Sequence, residues 1–180
     1  TNGQTFDREG RLWHCEGAEF GPGGGRRITR TDLATGAFDV ITERYQGKRY
    51  NSPNDICVDG RGRVYCTDPL YSDRSIMEMK DEGVYRIDLD GTVTRILSQP
   101  DIQRPNGIAV TQDSKRLYVI DSCPVAGGNR KVWRFDLDDT NAYIASAITA
   151  AETDDELEAV SASLDGYIDR LFFADSKGRV

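Results

Sequence analysis

Pro53-Asn54-Asp55-Ile56-Cys57-Val58-Asp59-Gly60-Arg61-Gly62-Arg63-Val64-Tyr65-Cys66-Thr67-Asp68 carries the reading of the fold. A turn leads into a short apolar run, a Gly-rich turn reverses the chain, and a second run rich in β-branched and aromatic residues follows. That is the pattern of a tight antiparallel strand pair. It recurs on either side. Asn2-Gly3 opens one copy and Pro105-Asn106-Gly107 another, so that Asn2, Asn54 and Asn106 stand 52 residues apart. A weaker fourth copy opens at Leu164-Asp165-Gly166, 59 residues after Asn106. Self-similarity at a fixed period points to a repeat architecture.

The intervals supply two more strands each. Residues 26–33 and 38–42 fill the first, and 84–89 and 92–97 fill the second. The second pair is joined through Asp90-Gly91, a hairpin signal; residues 131–137 open the third interval. Alternation predicts Val84, Arg86 and Asp88 on one face and Tyr85, Ile87 and Leu89 on the other. Residues 71–81 read as a long loop, and 153–160 as two turns of helix capped by Thr153 with Glu156 three residues on. Four short strands per repeat is the pattern of a β-propeller blade. The fold class is therefore all-β: a β-propeller of which this chain supplies about three and a half four-stranded blades. Residues 1–180 are expected to form a single partial propeller domain. Closure takes about 4–8 blades, and an open ring exposes strand edges. The chain is accordingly expected to be part of a larger propeller, or to self-associate.

The 180 residues carry 23 Lys plus Arg against 30 Asp plus Glu, a net charge of −7. That balance argues against nucleic acid as a partner, since phosphate neutralisation needs excess cations. No apolar run approaches the roughly 18 residues of a membrane span, so no membrane partner is expected. Arg26, Arg27 and Arg30 read as a solvated strand face. Cys15, Cys57, Cys66 and Cys123 show no CxxC pair and read as free thiols. They favour the cytoplasm, with the periplasm as the alternative if a signal peptide precedes Thr1. His14, the single histidine, excludes multi-His metal sites and reads as a packing or hydrogen-bonding residue. Gly21-Pro22-Gly23-Gly24-Gly25 lacks the Lys-Ser/Thr of a phosphate loop and reads as a hairpin insertion.

The turn residues repeated in phase remain: Asn54, Asn106 and Asp165. In a propeller they lie at one height around the axis, where their oxygens can converge at the channel mouth. Such hard donors suit Ca²⁺, Mg²⁺ or Mn²⁺, and carboxylate also admits Zn²⁺. The competing reading is that Pro-Asn-Gly and Pro-Asn-Asp simply make good turns.

Asn51-Ser-Pro-Asn-Asp55 with Tyr65-Cys-Thr-Asp-Pro69, and Arg104-Pro-Asn-Gly107 with Leu117-Tyr-Val-Ile-Asp121, resemble the gluconolactonase/regucalcin (SMP-30-like) family. Arg11-Leu-Trp-His-Cys-Glu16, Arg26-Arg-Ile-Thr-Arg-Thr31 and Arg44-Tyr-Gln-Gly-Lys-Arg49 resemble its gluconolactonase branch. The resemblance runs from Asn2 to about Phe135. It implies a six-bladed propeller with one divalent metal at the end of its channel, Ca²⁺ foremost and Mg²⁺, Mn²⁺ or Zn²⁺ as alternatives. It also implies metal-dependent hydrolysis of sugar lactones. By motif, Asn106 is a metal ligand, Asn54 contacts substrate or a metal-bound water, and Asp165 is both metal ligand and catalytic base. The resemblance places an N-terminal blade and a metal-binding Glu before Thr1, and final blades after Val180. Glu16 and Glu19 are out of phase to replace that Glu. The fourth unit is short, with 7 residues from Asp165 to Phe172 against 11 from Asn54 to Tyr65. This chain is accordingly expected to act weakly or not at all, with a non-catalytic binding module as the alternative reading.

Overall fold

The computed structural model describes residues 1–18, 23–137 and the backbone of 143–144. Its strands are β1 (Gln4–Phe6), β2 (Arg11–Glu16), β3 (Arg27–Asp32), β4 (Phe38–Thr42), β5 (Arg44–Tyr45), β6 (Lys48–Arg49), β7 (Ile56–Val58), β8 (Val64–Asp68), β9 (Gly83–Ile87), β10 (Val93–Ser98), β11 (Pro105–Val110), β12 (Arg116–Ser122), β13 (Arg130–Leu137) and β14 (Tyr143–Ile144). They form three four-stranded antiparallel meanders, β1–β4, β7–β10 and β11–β14, plus the small hairpin β5–β6. These are three propeller blades, as the 52-residue period predicts. The expected helix at 153–160 and the fourth unit lie outside the described residues.

The first hairpin of each blade turns by one local device. Asp7 accepts from the Arg11 backbone N–H and from Arg11 Nε, at 2.9 and 2.7 Å. Asp59 does the same for Arg63, at 2.9 and 2.7 Å. Gly10 and Gly62 take positive φ in these turns, at 76° and 84°. In the third blade Thr111 replaces the acid and accepts from Arg116 N–H at 3.0 Å. Ser114 there occupies the left-handed position at φ 58°.

Period-2 alternation sends each strand's side chains into two different cores. Ile56, Val64, Cys66, Tyr85 and Ile87 of the second blade pack with Trp13, Cys15 and Ile28 of the first. From the opposite face Tyr65 and Val84 pack with Ile108, Leu117, Val119 and Phe135 of the third. The hydrophobic cores therefore lie between blades, and each fully buried aliphatic or aromatic side chain there contributes about 1.5–3 kcal/mol. Within the first core Tyr85 meets the Tyr45 and Tyr50 rings edge-on at 5.2 and 5.1 Å.

Some boundaries differ from the sequence reading. β3 starts at Arg27 because Arg26 has φ 52°, outside the strand region. Arg26 is not part of a solvated face. It is buried, and its Nε donates to the backbone carbonyls of Tyr50 and Asn51 at 2.6 and 3.1 Å. The second blade's outer hairpin turns over Asp88–Thr92 and not over Asp90-Gly91 alone, since the Asp88 N–H donates to Thr92 O. Leu89 sits at that tip and is 80% exposed. His14 Nε2 lies 3.0 Å from Thr31 Oγ1 on the neighbouring strand, as a packing histidine would. All four cysteines are free. Among the described residues no helix is long and apolar enough to cross a membrane.

Candidate active site at the blade mouth

The innermost strands β7 and β11 are each preceded by a loop that a buried carboxylate ties to the end of the second strand. Asp68 accepts from the backbone N–H groups of Asn51 and Ser52, at 2.8 and 2.7 Å. One repeat later Asp121 accepts from those of Gln103 and Arg104, at 2.8 and 2.7 Å. Burial pushes the Asp68 carboxyl up to about 7, against the lowering effect of those two N–H donors and of Arg26. These ties fix the backbone on which Asn54 and Asn106 stand.

The blades are then stitched edge to edge at this end. The Gly3 N–H donates to Asn54 O, and Thr67 Oγ1 donates to Asn106 O, both at 2.6 Å. Asp55 fills the slot between Gly3 and Gly107, its counterparts in the flanking blades. Its carboxylate accepts from Ile56 N–H on its own strand and from Ile108 N–H on the next blade, each at 2.9 Å. A Cβ on Gly3 would collide with Asp55 Oδ1.

Asn54 lines a concavity of about 650 Å³ together with Asn2, Glu16, Ser52, Tyr71 and Ser72. Asn106 joins it through Tyr71, since Asn106 Nδ2 donates to the Tyr71 hydroxyl at 3.0 Å. Of the in-phase turn residues Asn54, Asn106 and Asp165, Asn54 lines the concavity and Asn106 adjoins it through Tyr71. Asp165 lies outside the described residues. Glu16, out of phase with the repeat, lines the same concavity. Its carboxylate accepts from Arg27 Nε and Thr29 Oγ1, at 2.8 and 3.1 Å, which leaves it engaged within its own blade. Glu19 lies outside the described residues.

Tyr71 is the residue that sequence reasoning passed over, because it falls in a loop with no repeat counterpart. The loop is anchored by Glu82, which is 1% exposed. Glu82 accepts from the Leu70 N–H at 2.7 Å and pairs with Arg74 and Arg104, both at 3.1 Å. The Arg104 guanidinium also lies 5.5 Å from the centre of the Tyr71 ring.

The donor chemistry bears on a metal. Asn106 commits its amide nitrogen to Tyr71, so its carbonyl oxygen Oδ1 is the end left to act as a donor. Asn54, on the same concavity, is placed to meet a substrate or a water. Among the described residues no group of three His, Cys, Asp or Glu side chains could hold a metal ion. A neutral amide oxygen is the kind of hard donor that suits a divalent cation such as Ca²⁺, which takes roughly 6–8 oxygen ligands.

The chain is similar to known proteins over most of its length. The family model for the SMP-30/gluconolactonase/LRE-like region matches residues 1–179. A gluconolactonase of Zymomonas mobilis is 34% identical over 143 residues, covering 77% of this chain and 37% of its own. The solved structure of a gluconolactonase from Xanthomonas campestris is 31% identical, with a TM-score of 0.66 over 84% of this chain and 49% of its own. TolB of Acinetobacter baumannii, 17% identical with a TM-score of 0.52, covers 84% of this chain and 33% of its own and shares the fold alone. The chain spans about half the length, or less, of the relatives it matches.

Proposed function

The chain belongs to the SMP-30/gluconolactonase/LRE-like family, and on that premise we propose that it carries part of the site of a metal-dependent sugar lactonase. The reaction adds water to the lactone carbonyl carbon and breaks the ring C–O bond. The ring oxygen takes up a proton, and an open hydroxy acid is released. A bound divalent cation, Ca²⁺ foremost and Mg²⁺, Mn²⁺ or Zn²⁺ as alternatives, supplies carbonyl polarisation and a more acidic water.

In this reading Asn106 holds the cation through Oδ1, and Asp165 holds it from the fourth unit. Asp165 also takes the proton of the attacking water, as a general base within hydrogen-bond reach would. Asn54 donates from its amide to the substrate or accepts from the water, which orients the two relative to each other. Asp68 and Asp55 stay out of the chemistry because backbone N–H groups already occupy their carboxylates.

One observation carries the proposal. In a 31–34% identical relative of gluconolactonases, the in-phase asparagines line or adjoin one concavity at the blade mouth. The test is glucono-1,5-lactone hydrolysis by the 180-residue chain with Ca²⁺, Mg²⁺, Mn²⁺ or Zn²⁺ and with EDTA. Weak metal-dependent turnover lost in EDTA is the expected result. Hydrolysis that persists after exhaustive chelation overturns the metal assignment. A folded chain that binds metal without turnover is instead a binding module.

A further inference from the structure

A primary amide has two ends of nearly the same shape and opposite polarity. Rotated by half a turn, Asn106 presents N–H donors where a cation needs an oxygen. We propose that Tyr71 is the positioning residue that fixes this rotation and so keeps Asn106 Oδ1 available to the metal. The inference rests on the reading of Asn106 as a metal donor.

The Tyr71 hydroxyl lies 2.6 Å from Ser122 Oγ and accepts from Asn106 Nδ2 at 3.0 Å. With its own proton turned to Ser122, the phenol oxygen is an acceptor. It can then be satisfied by the amide nitrogen of Asn106 and not by the carbonyl oxygen. The ring is held as well as the hydroxyl. Arg104 covers its face, and Arg104 is paired with Glu82, whose carboxylate also anchors Leu70, the residue before Tyr71. Tyr71 nevertheless stays 45% exposed at the mouth, beside Asn54. A tyrosine that only tied the loop to the third blade would need the Ser122 contact alone. The second contact, to the amide of an in-phase asparagine, is the one a positioning role requires.

The test is Mn²⁺ binding to the 180-residue chain, read from the electron paramagnetic resonance signal of free Mn²⁺ with no lactone present. Asn106→Ala is expected to weaken binding, which checks the underlying reading. Tyr71→Phe is expected to weaken it by about five- to tenfold, the size of one lost hydrogen bond. Ser122→Ala, which frees the phenol proton to turn toward Asn106, is expected to shift binding in the same direction. In an Asn106→Asp background the two carboxylate oxygens are equivalent and need no orienting. Adding Tyr71→Phe there is expected to change affinity by less than about twofold. Thermal unfolding of each variant confirms that it is folded.

Unchanged Mn²⁺ affinity in Tyr71→Phe overturns the proposal while leaving Asn106 as a donor. So does an equal loss in both backgrounds, which marks Tyr71 as a structural tie. If Asn106→Ala leaves Mn²⁺ binding unchanged, or the chain binds no Mn²⁺, the metal reading itself fails and the positioning role falls with it.

Discussion

The carboxylate of Asp55 accepts the backbone N–H of Ile108 at 2.9 Å, so one blade supplies the hydrogen-bond partner for the innermost strand of the next. The same carboxylate also accepts the N–H of Ile56. Removing it orphans two amides at a half-buried joint. Asp55→Ala is expected to lower stability by about 1–3 kcal/mol, the cost of leaving a buried donor unsatisfied. Denaturant unfolding followed by circular dichroism measures it, and a loss near zero would mean that water replaces the carboxylate.

Asn106→Ala is expected to reduce metal-dependent lactone hydrolysis at least about tenfold, through loss of a cation ligand. Asn54→Ala is expected to act on turnover with metal affinity little changed. Steady-state rates at several metal concentrations separate the two. Equal shifts in metal dependence would make Asn54 a ligand as well.

Asp68 gives a pH dependence of known sign. Its folded value of about 7 lies above the ordinary 3.8, chiefly because the side chain is buried. The folded state therefore binds this proton more tightly than the unfolded chain does. The stabilisation is full below about pH 4 and is lost as pH rises through about 7. Other groups titrate in the acid range, so the comparison is with Asp68→Asn. The stability advantage of the natural chain over Asp68→Asn is expected to narrow from pH 4 to 7 and to level off above. A margin that widens with pH would refute the shift.

Burial pushes the thiols of Cys15 and Cys66 above their ordinary range, and both residues are at most 1% exposed. Thiolate is the reactive form. Neither is expected to react with Ellman's reagent in the folded chain, and both should react on unfolding. Mass spectrometry of the labelled protein identifies the sites.

Ser114 stands in the left-handed region where the two preceding repeats have Gly10 and Gly62. The backbone strain at a non-glycine residue is partly offset by the greater freedom of glycine in the unfolded chain. Ser114→Gly is expected to raise stability by about 0.5–1 kcal/mol, measured by thermal unfolding.

The blade fold could be read from the chain because its period is long, regular and reinforced by strand alternation. Ile56, Cys66 and Tyr85 fall to one core and Tyr65 and Val84 to the other, as alternation alone dictates. Strand ends were less readable, since Arg26 and Asp88 leave the ladder through turn geometry that composition does not mark. The asparagines of the site were visible because duplication repeats them. Tyr71 was not, since it lies 35 residues from Asn106 in an unrepeated loop and meets it only after two blades pack. Arg26 was misread because three arginines close together look like a surface, and only the fold reveals the Tyr50 and Asn51 carbonyls waiting for one of them.

The stitches between blades have a consequence for how the chain folds. They join residues 39 to 53 positions apart: Thr67 to Asn106, Tyr71 to Ser122, and Asp55 to Ile108. Each blade therefore needs only its immediate neighbour. On a ribosome a blade can dock as soon as the first two strands of the next have emerged. Order can then spread along the described blades like a zipper, with entropy for closing loops of about 50 residues paid at each step.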